Sequence, residues 1–366
     1  MSAARVTIVG AGAIGGTIGA YLARAGVAVR LVDTDADHVA AMQTRGLTIR
    51  GFAETFTVRV DAVTPPELDG PLGIVLLAVK AQHTVAAVEH LRPLLSSASV
   101  VVSCQNGLCE HVIARLIGAE RTIGCFVNFS ADYLEPGVIA YGGAGSTYLG
   151  ELDGRITDRV RALRETLSSW EGVKITDNIW GYLWGKMGYA NMLFATALAD
   201  ETMADVIDRY RPLMVELAAE VYAVAEREGV VPEPFDCVEP SVYYPPGRRD
   251  PAAIRRSLDL LVARRRGDKK SKSGIWRDLA VRRRTTEVDQ QIGLVAGLAA
   301  QRGLRVSLTV RLVDMIHDLE AGRRSMSWAN VDELDQLRRE VYGEDVVGPA
   351  RQDMTIDKQE KRRGAN

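Results

Sequence analysis

A glycine-rich turn near the start of the chain constrains its fold more than any other feature. The short apolar run Val6–Val9 is followed directly by the segment Gly10-Ala11-Gly12-Ala13-Ile14-Gly15. Residues 17–24 then have a helical pattern, and residues 27–32 form a second apolar run. A strand, a glycine turn, a helix and a strand in this order predict a parallel βαβ unit with a right-handed crossover.

The same turn predicts a binding site for a dinucleotide. In the pattern G-x-G-x-x-G, Gly10 permits the tight turn, Gly12 lets the backbone approach a pyrophosphate, and Gly15 lets the helix pack closely on the strand. Ala13 and Ile14 fill the variable positions at the start of the helix, whose free N–H groups attract phosphates. The pattern alone is weak, but the strands and helix around it favour dinucleotide binding over a purely structural turn.

Asp33 follows the second apolar run and indicates which dinucleotide is bound. A carboxylate at this position can accept hydrogen bonds from the ribose hydroxyls of NAD, and it would repel the 2′-phosphate of NADP. Arg30 could compensate, but it lies before the turn, and Thr34 and Asp35 add no positive charge. The sequence therefore favours NAD and leaves NADP possible.

The rest of the 366-residue chain divides into two domains and a tail. Apolar strand-like runs alternate with helical patterns up to about residue 175, and long helical patterns replace them afterwards. We therefore predict an α/β domain with a Rossmann-type parallel sheet at residues 1–177 and an all-α domain at residues 178–325. Residues 326–366 are predicted to hold one more helix and then a disordered polar tail.

One pair of strands is predicted to be antiparallel. Residues 138–141 and 147–150 have strand patterns, and glycines lie between them. We interpret them as a late antiparallel addition to the α/β domain.

Composition limits the partners and the location. The net charge of −2 predicts no strong attraction to nucleic acid or to a membrane surface, and we interpret the basic runs at 264–266 and 269–272 as solvated surface. No apolar run approaches the about 18 residues that span a bilayer, and the start of the chain lacks the pattern of a signal peptide. None of the four cysteines has the C-x-x-C spacing of a metal site. We expect a cytoplasmic protein with free thiols and no metal.

Five short segments carry a more specific pattern. In chain order they are Val9-Gly10-Ala11-Gly12-Ala13-Ile14-Gly15, Ala78-Val79-Lys80-Ala81, Gln105-Asn106-Gly107-Leu108, Trp184-Gly185-Lys186-Met187, and the stretch from Lys272-Ser273 through Asp278 to Thr286-Glu287-Val288-Asp289. With this order and spacing the chain resembles the ketopantoate reductase family (2-dehydropantoate 2-reductases) from about residue 6 to residue 319. The resemblance implies a Rossmann domain, a helical domain like the C-terminal domain of 6-phosphogluconate dehydrogenase, and an active site in the cleft between them.

The resemblance implies nicotinamide-dependent reduction of a 2-keto acid to a 2-hydroxy acid. Lys186 matches the family's catalytic lysine, although helical periodicity alone would make it a solvated surface residue. A nearby ammonium stabilises the charge that grows on a ketone oxygen as hydride arrives, and then donates the proton. Glu287 matches the family's glutamate, which is expected to contact the nicotinamide ribose or to orient Lys186.

Three further positions are assigned by the resemblance. Ser273 matches the serine that binds the substrate carboxylate, and Ser271 competes with it because the register is uncertain by one residue. Asn106 matches a residue that contacts the cofactor ribose and the substrate, whereas an ordinary Asn-Gly turn is the alternative. Lys80 follows another strand in the cleft and could bind the ribose or the substrate acid.

The helix after Lys186 departs from the family. Members usually carry asparagines four and eight positions after the lysine, where this chain has Ala190 and Phe194. Asn191 lies one place later and is expected to bind substrate if the helix carries a local bulge. The missing amides predict a substrate that is bulkier or less hydroxylated than ketopantoate. Residues 232–270 and the tail are also longer than usual, and could reshape the cleft or form a contact in a homodimer.

Three other functions stay open on the sequence alone. Asp33 mildly favours an NAD-linked hydroxy acid dehydrogenase that runs in the oxidative direction, since cells usually keep NAD oxidised. A non-catalytic NAD(H)-binding redox sensor would not need Lys186 and Glu287. An opine-type dehydrogenase joins similar domains, but the segments around Lys186 and Glu287 favour the ketopantoate reductase pattern.

Overall fold

The structure is a computed structural model that describes residues 5–343 apart from residues 52, 144, 171 and 269. Lys269 of the second basic run, and residues 344–366 of the predicted polar tail, lie outside the described residues. Within them, the chain forms twelve strands and fourteen α-helices. The strands are β1 (Val6–Val9), β2 (Val29–Val32), β3 (Leu47–Arg50), β4 (Thr55–Val58), β5 (Asp61–Val63), β6 (Leu72–Leu77), β7 (Leu95–Ser103), β8 (Thr122–Val127), β9 (Ala131–Glu135), β10 (Val138–Tyr141), β11 (Thr147–Glu151) and β12 (Lys174–Ile175).

The helices lie between the strands in the first half of the chain and follow one another in the second half. They are α1 (Ala13–Arg24), α2 (Ala36–Arg45), α3 (Thr84–Leu91), α4 (Glu110–Ile117), α5 (Asp158–Thr166), α6 (Ile179–Thr196), α7 (Met203–Arg209), α8 (Arg211–Arg227), α9 (Pro240–Tyr243), α10 (Pro251–Gly267), α11 (Gly274–Ala280), α12 (Leu294–Gln301), α13 (Ser307–Glu320) and α14 (Trp328–Tyr342). A π-helical turn, Asp289–Gly293, leads into α12. No helix within the described part of the chain is both long and apolar enough to cross a membrane.

The main sheet confirms the predicted fold class. Its eight strands have the order β12-β11-β8-β7-β6-β1-β2-β5, and the ladders at its centre are parallel. All four residues of β1 and all six of β8 are buried, as expected for parallel strands covered on both faces. The first half is therefore a Rossmann-type domain, and the second half is mostly helical.

The predicted antiparallel pair at residues 138–141 and 147–150 does not form. Strand β11 joins the main sheet antiparallel to β8. Strand β10 belongs instead to a second, four-stranded sheet with the order β4-β3-β10-β9. Ile139 of β10 is fully buried, and an added Cβ on Gly16 of α1 would lie 2.4 Å from its Cδ1. The prediction paired neighbours in sequence, whereas packing against α1 places the two strands in different sheets.

A buried carboxylate joins three helices of the second half. Glu220 of α8 accepts hydrogen bonds from the backbone N–H groups of Leu308 at 2.9 Å and Thr309 at 2.7 Å, at the start of α13. It also accepts hydrogen bonds from the hydroxyls of Thr309 at 2.7 Å and of Tyr342, in α14, at 2.6 Å. The first N–H groups of a helix have no partner within that helix. Glu220 therefore acts as an N-terminal cap supplied by another helix.

Replacing Glu220 with alanine is expected to lower the free energy of unfolding by about 3 kcal/mol, because two helix N–H groups lose a charged acceptor in a buried site. Chemical denaturation followed by circular dichroism measures this loss. Glu228→Ala is the control, since Glu228 pairs with Arg302 in a more exposed place and should change stability little. Equal effects of the two substitutions would argue against the capping role of Glu220.

Candidate functional site

The glycine turn between β1 and α1 has the geometry that its pattern predicts. Gly10 has a φ of +94°, and a Cβ there would lie 2.6 Å from the backbone nitrogen of Val79. A Cβ on Gly15 would lie 2.1 Å from the carbonyl oxygen of Gly10, so the helix could not pack as closely. A Cβ on Gly12 would meet nothing within 4 Å. The open space above Gly12, at the N-terminus of α1, fits the pyrophosphate of a dinucleotide.

Carboxylates crowd the loop after β2. Asp33 accepts a hydrogen bond from the backbone N–H of Asp35 at 3.0 Å. Asp35 caps α2 and accepts a hydrogen bond from the hydroxyl of Tyr133 at 3.0 Å. Burial raises the pKa of Tyr133, and Asp35, Asp33 and Asp37 raise it further. The loop therefore presents acceptors and negative charge, which suit ribose hydroxyls and oppose a phosphate.

A small cavity lies between the ends of β7 and β8, the middle of α6, and the π-helical turn. Its lining residues are Gln105, Asn106, Gly107, Phe126, Val127, Leu183, Lys186, Met187, Ala190 and Gln291. Most are apolar, and Lys186 is the one that carries a formal charge. Because the carboxyl ends of parallel strands form the ligand-binding edge of such folds, the cavity lies where a substrate is expected.

Lys186 extends from α6 to the strand ends. Its Nζ donates hydrogen bonds to Oδ1 of Asn106 at 2.8 Å and to the carbonyl oxygen of Val127 at 2.5 Å. Burial lowers the pKa of Lys186 to about 8, although the charge of Glu287 opposes the shift. Sequence reasoning placed Lys186 and Asn106 in one site, and the structure brings them into direct contact. An amine with this pKa can donate or accept a proton near neutrality.

Glu287 lies beside Lys186 but bonds to other groups. Its Oε2 accepts a hydrogen bond from Nζ of Lys80 at 2.8 Å, and its Oε1 accepts one from the backbone N–H of Ala81 at 2.8 Å. Lys80 also donates to Asp278 at 3.1 Å. Burial works against the charged form of Lys80, yet the charges of Glu287 and Asp278 outweigh it and raise its pKa. Glu287 thus holds Lys80 in place and acts on Lys186 through its charge.

Ser273 is buried at the start of α11, where its hydroxyl accepts a hydrogen bond from the backbone N–H of Trp276 at 3.1 Å. Ser271, its competitor in register, is exposed, and its carbonyl oxygen accepts a hydrogen bond from the backbone N–H of Met203. Neither serine lines the cavity around Lys186. A role for Ser273 in binding a substrate carboxylate stays a prediction.

The position of Asn191 does not fit the expectation that it binds substrate. Its side chain is fully buried, and its Nδ2 donates to the carbonyl oxygen of Leu217 at 2.8 Å and to Oγ1 of Thr309 at 2.9 Å. Helix α6 runs without the local bulge that would turn Asn191 toward the cavity. Ala190 lines the cavity instead, and Phe194 is buried elsewhere in the core. Asn191 joins α6 to α8 and α13.

Glu110 is a residue that sequence reasoning missed. It is the first residue of α4 and is fully buried. Burial raises the pKa of Glu110 to about 7, although its own backbone N–H, the hydroxyl of Ser103 and the charge of Lys186 act against the rise. Acidic residues are common in the first turn of a helix, so nothing in the sequence pattern indicates that this one is buried.

The described residues contain no cluster of three or more histidine, cysteine, aspartate or glutamate side chains that could hold a metal ion.

A Rossmann domain with an open glycine turn, and a lysine of lowered pKa in its cleft, define a nicotinamide-dependent oxidoreductase. The family model described as ketopantoate reductase PanE/ApbA matches residues 6–154, and the model of its C-terminal domain matches residues 178–320. The chain belongs to the ketopantoate reductase family.

Individual relatives agree with this family. A 2-dehydropantoate 2-reductase of Mesorhizobium japonicum is 29% identical over 255 residues, which are 62% of this chain and 77% of that protein. The crystal structure of 2-dehydropantoate 2-reductase from Geobacter metallireducens is 25% identical with a TM-score of 0.74, over 86% of this chain and 99% of that one. The ternary structure of D-mandelate dehydrogenase with NADH and anilino(oxo)acetate has the same fold, with a TM-score of 0.72 at 20% identity over 90% of this chain and 99% of that one.

Glu110→Gln is expected to lower the pKa of Lys186 below its value of about 8. The charge of Glu110 favours the ammonium form of Lys186, and glutamine keeps the shape but removes that charge. The rate of acylation of Lys186 as a function of pH, followed by peptide mass spectrometry, reports the fraction of free amine. The inflection should move to lower pH.

The matched control is Glu120→Gln, which makes the same change at an exposed site in the turn after α4. If Glu110→Gln keeps its melting temperature and the acylation profile of Lys186 is unchanged, Glu110 does not act on that amine.

Proposed function

We propose that the protein reduces a 2-keto acid to a 2-hydroxy acid, as a 2-dehydropantoate 2-reductase does, with Lys186 as the general acid. The observation that carries the proposal is the position of Nζ of Lys186, between Asn106 and the end of β8 in the cavity. The family supports the reaction class, and the 2-dehydropantoate 2-reductases among its members support the substrate type.

The nicotinamide supplies the hydride when it is bound. The chain supplies the rest of the chemistry. As negative charge grows on the ketone oxygen, the ammonium of Lys186 stabilises it and then transfers a proton to it. Asn106 Oδ1 and the carbonyl of Val127 hold Nζ at the strand edge, so the amine is oriented before substrate arrives. We assign Glu287 to a positioning role through Lys80 and to a contact with the nicotinamide ribose.

The cofactor is proposed to lie along the carboxyl edge of the main sheet. Gly10, Gly12 and Gly15, with the N–H groups of Ala13 and Ile14, would hold the pyrophosphate. Asp33 would accept hydrogen bonds from the adenosine ribose, and the negative charge around it supports NAD over NADP. Lys80, Asn106 and Glu287 would lie near the nicotinamide ribose.

The substrate is proposed to be less hydroxylated than ketopantoate, or bulkier. Ala190 occupies the position of an asparagine that family members usually carry, and Phe126, Leu183 and Met187 add apolar side chains to a cavity wall that also holds Gln105, Asn106 and Gln291. A substrate hydroxyl would find no amide partner at Ala190. Phe194, at the second of the two positions where members usually carry asparagine, lies in the core and has no part in the proposal.

The alternatives have weaker support. The family and its named reductases do not favour a redox sensor or an opine-type enzyme. Oxidation of a hydroxy acid uses the same groups in reverse, with the neutral amine of Lys186 as base.

We also propose a cytoplasmic location, which the free thiols of all four cysteines support. A homodimer formed through the helical half would cover exposed apolar side chains such as Leu260 and Val310.

Lys186→Ala is expected to reduce kcat for keto acid reduction by about a hundredfold to ten-thousandfold, the usual contribution of a general acid. NADH binding, measured by fluorescence titration, should change little. Lys174→Ala, at an exposed position, serves as the control variant. A Lys186→Ala variant that keeps its rate would rule out the proposal.

In the unaltered enzyme, kcat/KM for reduction should fall as pH rises through about 8, because the ammonium form of Lys186 is lost.

Cofactor choice is tested by Asp33→Ala combined with Thr34→Arg. The double change removes the charge that repels a 2′-phosphate and adds one that attracts it. The ratio of kcat/KM with NADH to that with NADPH is expected to exceed one in the unaltered enzyme and to fall below one in the variant. A ratio that does not respond would show that Asp33 does not select the cofactor.

A further inference from the structure

Basic side chains gather where the two halves of the molecule meet above the cleft. Lys80 follows β6 in the first half, and the others lie on α11 or in the segments on either side of it. We call the following five residues the basic cluster: Lys80, Lys270, Arg277, Arg282 and Arg284.

Three carboxylates lie behind the cluster. Asp278 pairs with Lys80 at 3.1 Å, with Arg282 at 3.3 Å and with Arg284 at 2.9 Å, and its side chain is only 3% exposed. The side chains of Lys80, Arg282 and Arg284 are 36%, 31% and 46% exposed. The acid is therefore covered and its cationic partners face outward, so the surface presented to a ligand is positive.

Asp132 of β9 extends this arrangement across the cleft. It pairs with Arg277 and, at 3.2 Å, with Arg282, so that a carboxylate of the first half is held by two arginines of the second. Its side chain is 14% exposed. With Glu287, which pairs with Lys80, three carboxylates face five cations. The cluster therefore has an excess of two positive charges, although the whole chain has a net charge of −2.

Lys270 is the least compensated member of the cluster. It is partly buried, and within the described residues it has no hydrogen bond or ion pair. Burial lowers its pKa, and the like charges of Arg282 and Lys80 lower it further, while Asp278 opposes them. A cation held beside other cations without a partner is unfavourable in the empty protein, and an anion at this place would relieve the repulsion.

We propose that the basic cluster, with Lys270 as its uncommitted member, binds an anionic group of a ligand in addition to the keto acid group at Lys186. This inference rests on the proposed function for the position of the ligands. The group bound by the cluster is an anionic oxygen of a phosphate or a carboxylate. Two ligands carry such a group: the cofactor, through its pyrophosphate, and a substrate with a second carboxylate.

Geometry is compatible with both sources. A Cβ added to Gly10 would lie 2.6 Å from the backbone nitrogen of Val79, the residue before Lys80. The basic cluster therefore begins beside the glycine turn. Lys80 is also joined to Glu287, whose charge acts on Lys186 in the catalytic cavity. The cluster therefore adjoins both the proposed pyrophosphate site and the substrate site.

Lys270→Met tests the proposal without breaking an ion pair, since Lys270 has none in the described structure. Lys272→Met is the matched control: it makes the same change two residues away, where Lys272 pairs with Asp200 and lies over the ring of Trp276. Three quantities are measured for both variants: the Kd of NADH by fluorescence, protection against thermal unfolding by inorganic pyrophosphate, and KM for 2-keto acids with one and with two carboxylates.

Loss of one charge-assisted hydrogen bond should weaken binding of the anion about tenfold, with a shallower dependence on salt. Weaker NADH and pyrophosphate binding in Lys270→Met identifies the cofactor phosphates as the ligand. A higher KM for the dicarboxylate alone identifies a second substrate carboxylate. Lys272→Met should stay within about twofold of the unaltered protein.

The proposal is overturned if Lys270→Met leaves all three quantities within about twofold of their original values, or if Lys272→Met has the same effect. Binding of NADH and pyrophosphate needs no turnover. An enzyme that reduces none of the tested keto acids, yet loses anion binding in Lys270→Met, would contradict the proposed function and leave the anion site standing.

Discussion

The contact between Nζ of Lys186 and the ends of two strands is the interaction on which the site depends. It brings an amine of the helical half to Asn106 and the carbonyl of Val127 in the sheet half, at 2.8 and 2.5 Å. Three conditions must hold together: α6 must stand over the sheet edge, the strands must end there, and solvent must be largely excluded. The lowered pKa of Lys186 follows from the last of these.

A second set of contacts fixes the same arrangement from the other side of the cleft. Glu287 bonds to the N–H of Ala81 and to Lys80, and Asp278 bonds to Lys80 again. Both acids come from the helical half, and both are buried. Because a buried carboxylate is costly without partners, these contacts favour one placement of the two halves. The strand ends, the lysine and the glycine turn then face a common space.

Local constraints explain what could be predicted from the sequence. The turn at Gly10 needs a positive φ and the contact at Gly15 excludes a Cβ, so their spacing predicts the structure around them directly. Family motifs, rather than periodicity, identify Lys186, Asn106, Lys80 and Glu287 as site residues. Asn191 was misplaced because one residue rotates a side chain by about 100° around a helix, and only packing against α8 and α13 determines which side is buried. Glu110 was missed because burial of a helix's first residue is a tertiary property.

The π-helical turn Asp289–Gly293 fits one extra residue into the helix that follows Glu287. It lets Gln291 line the cavity, while Asp289 bonds to His317 of α13 at 2.9 Å. Removal of a single residue here would restore an ordinary α-helix and turn Gln291 off the cavity wall, with the sheet and glycine turn untouched. The length of this turn therefore sets the shape of the cavity wall, together with the identity of the side chains that line it.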